Sequence, residues 1–249
     1  RGLGDVYKRQ RLWGSNLNNS YYETLDENFN NALELIQQDF THTEIIQMLQ
    51  NGNIVEKQLA ALRLDTIISK EDADILISNL TGQDGKIREA VSLRINEFMS
   101  TPELLQFFEN TQSYDIFLEA IIDINANICR NIISAISNLK NNPNFCLYFT
   151  QKLSKKTLNL LDNIKDFDFQ DGKYKVNKEV FKLYWCLETV YEFAESMDFD
   201  TLKNIILLSK DIDEYTIREK TAKILTKNFK DTDLENALSL IHISEPTRR

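Results

Sequence analysis

The residues Asp84–Ile95, DGKIREAVSLRI, decide the fold of this chain. An acidic turn residue leads into an aliphatic residue, a base and an amphipathic run. Ile87, Ala90/Val91, Ile95 and Phe98 fall on one helical face. The block then returns. Asp123–Ile136 reads DINANICRNIISAI, and Asp213–Leu225 reads DEYTIREKTAKIL. In the last copy Ile217, Ala222, Ile224/Leu225 and Phe229 make the apolar face. Weaker copies start at Val55 (VEKQLAALRL) and Val176 (VNKEVFKLYW). Setting Leu62-Arg63-Leu64 against Leu93-Arg94-Ile95 aligns the first copy with the second.

The bases of these blocks are then Lys57, Arg88, Arg130, Lys178 and Arg218, spaced 31, 42, 48 and 40 residues apart. Helical arrays of the HEAT and armadillo kind repeat every ~40–47 residues. Between the blocks lie partner helices with readable starts. Thr24…Glu27, Thr41…Glu44, Ser69…Asp72 and Thr232…Glu235 have capping-box spacing, in which a hydroxyl takes a free amide proton and a carboxylate reaches back. Thr101-Pro102 puts proline at a first helical position, where its missing N–H costs nothing. Few glycines and prolines punctuate the chain, which favours helices over strands and turns. Around Asn163–Lys175 (NIKDFDFQDGKYK) the pattern breaks into a loop. Leu25–Asn51 is assigned to helices on periodicity alone.

The chain resembles the HEAT-repeat family, including its shorter phycobilisome-lyase-type variants, over about Asn51–Phe229. Asp84/Ile87/Arg88/Ala90, Asp123/Ile128/Arg130 and Asp213/Ile217/Arg218 carry the resemblance. It implies an all-α, right-handed α-solenoid of antiparallel helix pairs. It also implies that the arginine of each block caps or bridges to an aspartate of a neighbouring repeat, so that Asp84, Arg88, Asp123, Arg130, Asp213 and Arg218 hold the stack in register. Lys57 and Lys178 depart from the family's arginine, and the fourth repeat carries an insertion.

The two ends read differently. Arg1–Gln10 (RGLGDVYKRQ) and Leu238–Thr247 (LSLIHISEPT) are translations of one oligonucleotide read in opposite senses, matching a transposase-type sequencing adapter. Residues 1–10 and 238–249 are therefore expected to be non-native, 11–24 a poorly ordered lead-in, and 25–237 the repeat array. Setting aside Arg1, Lys8, Arg9, Arg248 and Arg249 with Asp5 and Glu245 moves the formal charge from −9 to −12.

That charge argues against nucleic-acid binding, which rests on phosphate neutralisation, and against anionic membrane surfaces. No apolar run approaches membrane-spanning length. Cys129, Cys146 and Cys186 lack tight spacing and sit among apolar neighbours, so buried reduced thiols and a cytoplasmic location are expected. His42 is the one histidine outside the adapter ends and is expected on an exposed first turn. His/Cys metal clusters and Ser-His or Cys-His nucleophile pairs are thereby excluded within this segment, and Gly82 and Gly85 form a turn without a phosphate-binding signature. Carboxylate pairs such as Asp72/Asp74 or Asp166/Asp168 have no specificity in so acidic a chain. No catalytic, cofactor or metal site is assigned, and the chain is expected not to be an enzyme.

The expected function is a non-catalytic protein–protein interaction scaffold. Its rivals are a HEAT-like DNA glycosylase, which needs a cationic groove, and a lyase-associated regulatory subunit. A protein partner is expected on the surface of the second helix of each pair, where Ser92, Asn96, Asn131, Ser134 and Asn138 fall. Tyr184 and Tyr191 join them if exposed. They lie on the aromatic helix Lys178–Ala194, whose second aromatic face must pack on a neighbouring repeat or meet a partner.

Overall fold

The computed structural model describes residues 32–165, 173–227, 231–234 and 236. Among them there is no strand. A short helix over 32–37 precedes α1 (His42–Asn51), α2 (Ile54–Arg63), α3 (Lys70–Ser78) and α4 (Gly85–Met99). Next come the single turn α5 (Pro102–Leu105), a 3₁₀ turn Gln106–Phe108, α6 (Thr111–Ala120) and α7 (Ala126–Ser137). The long α8 (Pro143–Lys165) and α9 (Lys173–Phe193) follow, then a 3₁₀ turn Ala194–Ser196, α10 (Phe199–Ser209) and α11 (Tyr215–Leu225). The expected non-native ends, the lead-in, and the Thr24…Glu27 box all lie outside the described residues.

The helices stack in two layers. One layer runs α2–α4–α7–α9–α11, each helix packed on the next; the other runs α1–α3–α6–α8–α10, with the Gln106–Phe108 turn also against α3. Consecutive helices cross between the layers, as in the pairs α1/α2, α8/α9 and α10/α11. This is an all-α helical-repeat solenoid, in which each unit buries its apolar face on its neighbours. The five repeating blocks of the sequence supply the five helices of the first layer, in order.

Local chemistry sets the helix starts. At α1 the Thr41/Glu44 box is complete: Thr41 accepts from the Glu44 amide, and Glu44 accepts from the Thr41 amide at 2.8 Å. Asn53 and Glu56 make the same closed box at α2. Gly52 between these helices is sterically required, since a Cβ there would stand 2.5 Å from the Met48 carbonyl oxygen. Gly82, with φ of 71°, takes the left-handed turn that leads into α4.

Several local expectations need correction. The Ser69/Asp72 box is half-made, because the Asp72 carboxylate accepts from the Ile68 amide and not from the Ser69 amide. The group that caps residues 232–234 is the Asp231 carboxylate, not the Thr232 hydroxyl; it accepts from the Asp233 and Leu234 amides, and Glu235 of the expected box lies outside the described residues. Helix α8 runs through Lys165 and α9 begins at Lys173, so both ends of the expected loop Asn163–Lys175 are helical. Leu160, Leu161 and Ile164, all buried and at helical spacing, carry the α8 face into the start of the expected loop. His42 is half-buried, not exposed: its Nε2 lies 3.0 Å from Asp72 Oδ2, tying the start of α1 to the start of α3.

The core is continuous through both layers. At its centre Phe145 and Phe149 of α8 stack at 4.9 Å, and both meet Phe193 of α9, while Tyr114 of α6 stands edge-on to Phe145. Such rings bury large apolar areas and add directional contacts of about 0.5–1.5 kcal/mol per pair.

Candidate functional site: the exposed face of the repeat layer

Counting from each helix N-cap exposes the repeat more finely than the sequence blocks do. Asn53, Asp84, Asn125 and Glu214 cap α2, α4, α7 and α11. Four residues past these caps stand Lys57, Arg88, Cys129 and Arg218. Arg130, aligned with the register bases in the sequence, is one residue too far along and points outward. It is exposed, donates to Asn127 Oδ1 at 2.8 Å and lies over the Trp185 ring. Cys129 holds the register position instead, its thiol donating to the Asp123 carbonyl at 3.1 Å.

The register residues act in different ways. Arg88 grips the next unit: Nε donates to Asp123 Oδ2 at 2.7 Å, NH2 to Oδ1 at 3.1 Å, and NH1 to the Gln83 carbonyl. That hydrogen bonding to Asp123 raises the guanidinium pKa still further. Lys57 likewise reaches forward, donating to the buried Asn79 at 2.9 Å. Arg218 stays within its own unit, on the Ile212 carbonyl and, at 3.4 Å, on the exposed Asp213. Asp84 caps its own helix through the Lys86 amide.

Ten residues past the caps of α2 and α4 stand Arg63 and Arg94, which do the same job one unit apart. Arg94 donates to the carbonyls of Ala61 and Leu62 at the end of α2; Arg63 donates to those of Ile36 and Gln38 at the end of the 32–37 helix. Each guanidinium lies over a phenylalanine, Phe98 and Phe40 respectively. A cation at a helix C-terminus satisfies free carbonyls and complements the macrodipole. These arginines tie α4 to the end of α2, and α2 to the end of the 32–37 helix.

Nine residues past the caps stand Leu62, Leu93, Ser134 and Lys223, the row that faces away from the core. Leu62 is 45% exposed and Leu93 42%, and Ser134 is exposed as well. Asn138, one turn beyond Ser134, is exposed but folds its amide back onto the Ser134 and Ala135 carbonyls.

The other expected partner-binding residues belong to the stack itself. Ser92 is fully buried and accepts from Asn131 Nδ2 at 3.0 Å across the α4–α7 junction. Glu89 beside them accepts from Asn125 and Asn127. Asn96 is half-buried, with Oδ1 making no hydrogen bond. Their fate follows from helix spacing: the block periodicity places these polar residues on the face toward the adjacent unit, where they become a seam. Tyr184 and Tyr191 are half-buried beneath α11, with Lys220 Nζ 4.5 Å from the Tyr184 ring centre and Lys223 and Lys227 at 4.1 and 4.5 Å from Tyr191. Glu188 between them binds Lys220 at 2.6 Å and Lys223 at 2.8 Å. Burial opposes its charge, yet the two ammonium groups hold its pKa below the usual glutamate value.

Among the described residues, no group of three or more His, Cys, Asp or Glu side chains could hold a metal ion, and no helix is long and apolar enough to cross a membrane. Burial pushes the Cys129 and Cys186 thiols up to about 12, leaving them protonated and poor nucleophiles. A cleft between α8 and α10, lined by Gln151, Lys155, Leu158 and Asp198, opens on the other layer. The buried hydroxyls beside it, Thr150 and Ser154, donate to carbonyls of their own helix.

No protein-family model and no curated protein matches the chain. Among solved structures, a designed armadillo repeat protein is similar, with 14% identity, 80% of this chain and 97% of that chain covered, and a TM-score of 0.39. The two-layer architecture rests on the helix contacts themselves.

What sequence reasoning missed is the row Leu62–Leu93. The signal was present in the aligned triplets Leu62-Arg63-Leu64 and Leu93-Arg94-Ile95: a base after each first leucine and a buried aliphatic after each base leave that leucine facing out.

Proposed function

We propose that the chain is a non-catalytic protein-interaction scaffold that receives its partner across the outward face of the α2–α4–α7–α9–α11 layer. The observation that carries this reading is the row nine residues past each N-cap. Leu62, Leu93 and Ser134 repeat at one register position and are left exposed, while the polar residues around them close the seams between helices. Stacked helices presenting equivalent positions make an extended surface suited to another polypeptide.

The partner is a protein and not a nucleic acid. Supporting this, the chain is acidic, and many of its bases are already engaged: Lys140 with Glu192, Lys152 with Asp115, Lys156 with Glu119, Lys203 with Asp231 and Asp233. Nucleic-acid affinity would require a set of cations free to release counterions from phosphates. The same consideration weighs against the glycosylase alternative. The reading involves no cofactor and places the protein in the cytoplasm.

Photo-crosslinking tests it. A crosslinking residue at Ser134 or Asn138 should capture a partner protein from cells, whereas one at Asn159 on α8 should not. Equal capture from both layers, or salt-sensitive sub-micromolar retention of DNA, would overturn the proposal.

A further inference from the structure

We infer that Asn51–Gly52, the junction of α1 and α2, is a site of spontaneous modification. The Asn51 side chain is converted to aspartate and isoaspartate at a rate set by opening of the α1 C-terminus. Asn51 is the only asparagine of the chain followed by glycine. Its side chain is exposed and makes no hydrogen bond among the described residues. The chemistry is intramolecular. The Gly52 amide nitrogen attacks Asn51 Cγ and closes a cyclic imide; that nitrogen gives up its proton, and the Asn51 amide nitrogen leaves as ammonia. Water then opens the ring at either carbonyl. Opening at Cγ restores the main chain with aspartate, and opening at the Asn51 backbone carbonyl leaves the chain running through the side chain as isoaspartate. Glycine permits the attack because it has no Cβ to obstruct the approach.

The fold requires this glycine and at the same time restrains the reaction. A Cβ at position 52 would stand 2.5 Å from the Met48 carbonyl oxygen and 2.8 Å from Glu56 Cβ, so the turn keeps the residue that makes its neighbour labile. Asn51 is the last residue of α1, and the Gly52 N–H donates to the Met48 carbonyl at 2.9 Å. The nucleophile is thus engaged in the helix ladder and reaches Cγ only when Asn51 leaves its helical angles. No base in the last turn of α1 helps to hold that end. Asp84–Gly85 has the same small neighbour, but its side chain is a carboxylate, a weaker electrophile, whose Oδ1 is held by the Lys86 amide at 2.8 Å.

Either product puts a negative charge at a helix C-terminus, the unfavourable end of the macrodipole. It also faces the Glu56 carboxylate, which caps α2 by accepting from the Asn53 amide at 2.7 Å. Isoaspartate adds a carbon to the main chain at a turn that has no room for one. Modification therefore loosens the α1/α2 pair, whatever the scaffold binds.

The test ages the full chain in mildly alkaline buffer, folded and in urea, and follows each asparagine by peptide mass spectrometry, with isoaspartyl methyltransferase labelling of the products. In urea Asn51 should convert fastest of all the asparagines. In the folded protein its conversion should be at least about tenfold slower, because the helix end must open first. Thr41→Ala removes the α1 N-cap, leaves the dipeptide intact and should speed the folded reaction severalfold. Ageing should lower the denaturation midpoint of the parent by more than that of Asn51→Gln, whose longer side chain closes the ring poorly. Another asparagine outpacing Asn51 in urea, equal Asn51 rates with and without urea, or a Thr41→Ala rate equal to the parent's would overturn the inference.

Discussion

Arg88 and Asp123 are joined by two parallel hydrogen bonds across the α4–α7 junction, at 2.7 and 3.1 Å, with side chains only 17% and 11% exposed. The fork-to-carboxylate geometry adds direction to the attraction. Replacing Arg88 with Ala leaves Asp123 without its partner and should destabilise the protein by about 1–3 kcal/mol, less than for a fully buried pair. The corresponding Arg218→Ala should cost under ~1 kcal/mol, because Asp213 is 91% exposed. Urea unfolding of both variants measures the difference, and equal midpoint shifts would contradict it.

Acid should loosen the α1–α3 contact. Burial disfavours the Asp72 carboxylate, but hydrogen bonds from His42, the Ile68 amide and Ser69 hold its pKa below the ordinary 3.8. A carboxyl depressed on folding stabilises at pH above its unfolded value, and that contribution disappears as pH falls through the folded value. Glu188, held below 4.5 by Lys220 and Lys223, behaves the same way. Unfolding midpoints taken from pH 5 downward should therefore fall, beginning at about these ordinary values. Asp72→Asn should flatten part of that slope, and an unchanged slope would remove Asp72 from the account.

The aromatic centre should tolerate truncation poorly. Phe149 is buried between Phe145 and Phe193, and Phe149→Ala opens a cavity where two layers meet. A loss of about 3–5 kcal/mol is expected, against a change within ~0.5 kcal/mol for Leu147→Ala on the exposed side of the same helix.

Thiol chemistry offers a direct check on burial. Cys129, Cys146 and Cys186 are all free and buried. In the folded protein they should react with iodoacetamide far more slowly than in urea. Fast native labelling of Cys186 would place it outside the core.

Much of this was legible in the sequence because repeat periodicity and capping are local signals. Asp84–Ile95 identified its helix, its apolar face and its cap, and the Thr41/Glu44 box marked the start of α1. The alignment at Arg130 slipped because two extra residues separate Asp123 from its helix: Asn125, not Asp123, is the N-cap, so the register position falls on Cys129, one residue before Arg130. The candidate surface failed for a different reason. Polar residues such as Ser92 and Asn131 read as outward when each helix is considered alone. Helix-to-helix packing in a layer gives every helix two contact faces besides the one toward its pair. Only neighbours distant in the chain decide that Ser92 meets Asn131, or that Tyr191 lies under Lys223 and Lys227.

The arginine caps give the array a grain. Arg63 reaches back to the end of the 32–37 helix and Arg94 to the end of α2, so these two helices depend for their final carbonyls on the unit that comes after them. Trimming the chain after Leu64 would leave the Ala61 and Leu62 carbonyls to water. Trimming it before Asn53 would leave α2 fully capped, with only the Arg63 guanidinium to rehydrate. As far as these contacts govern it, fraying among the first units travels from the later unit toward the earlier one.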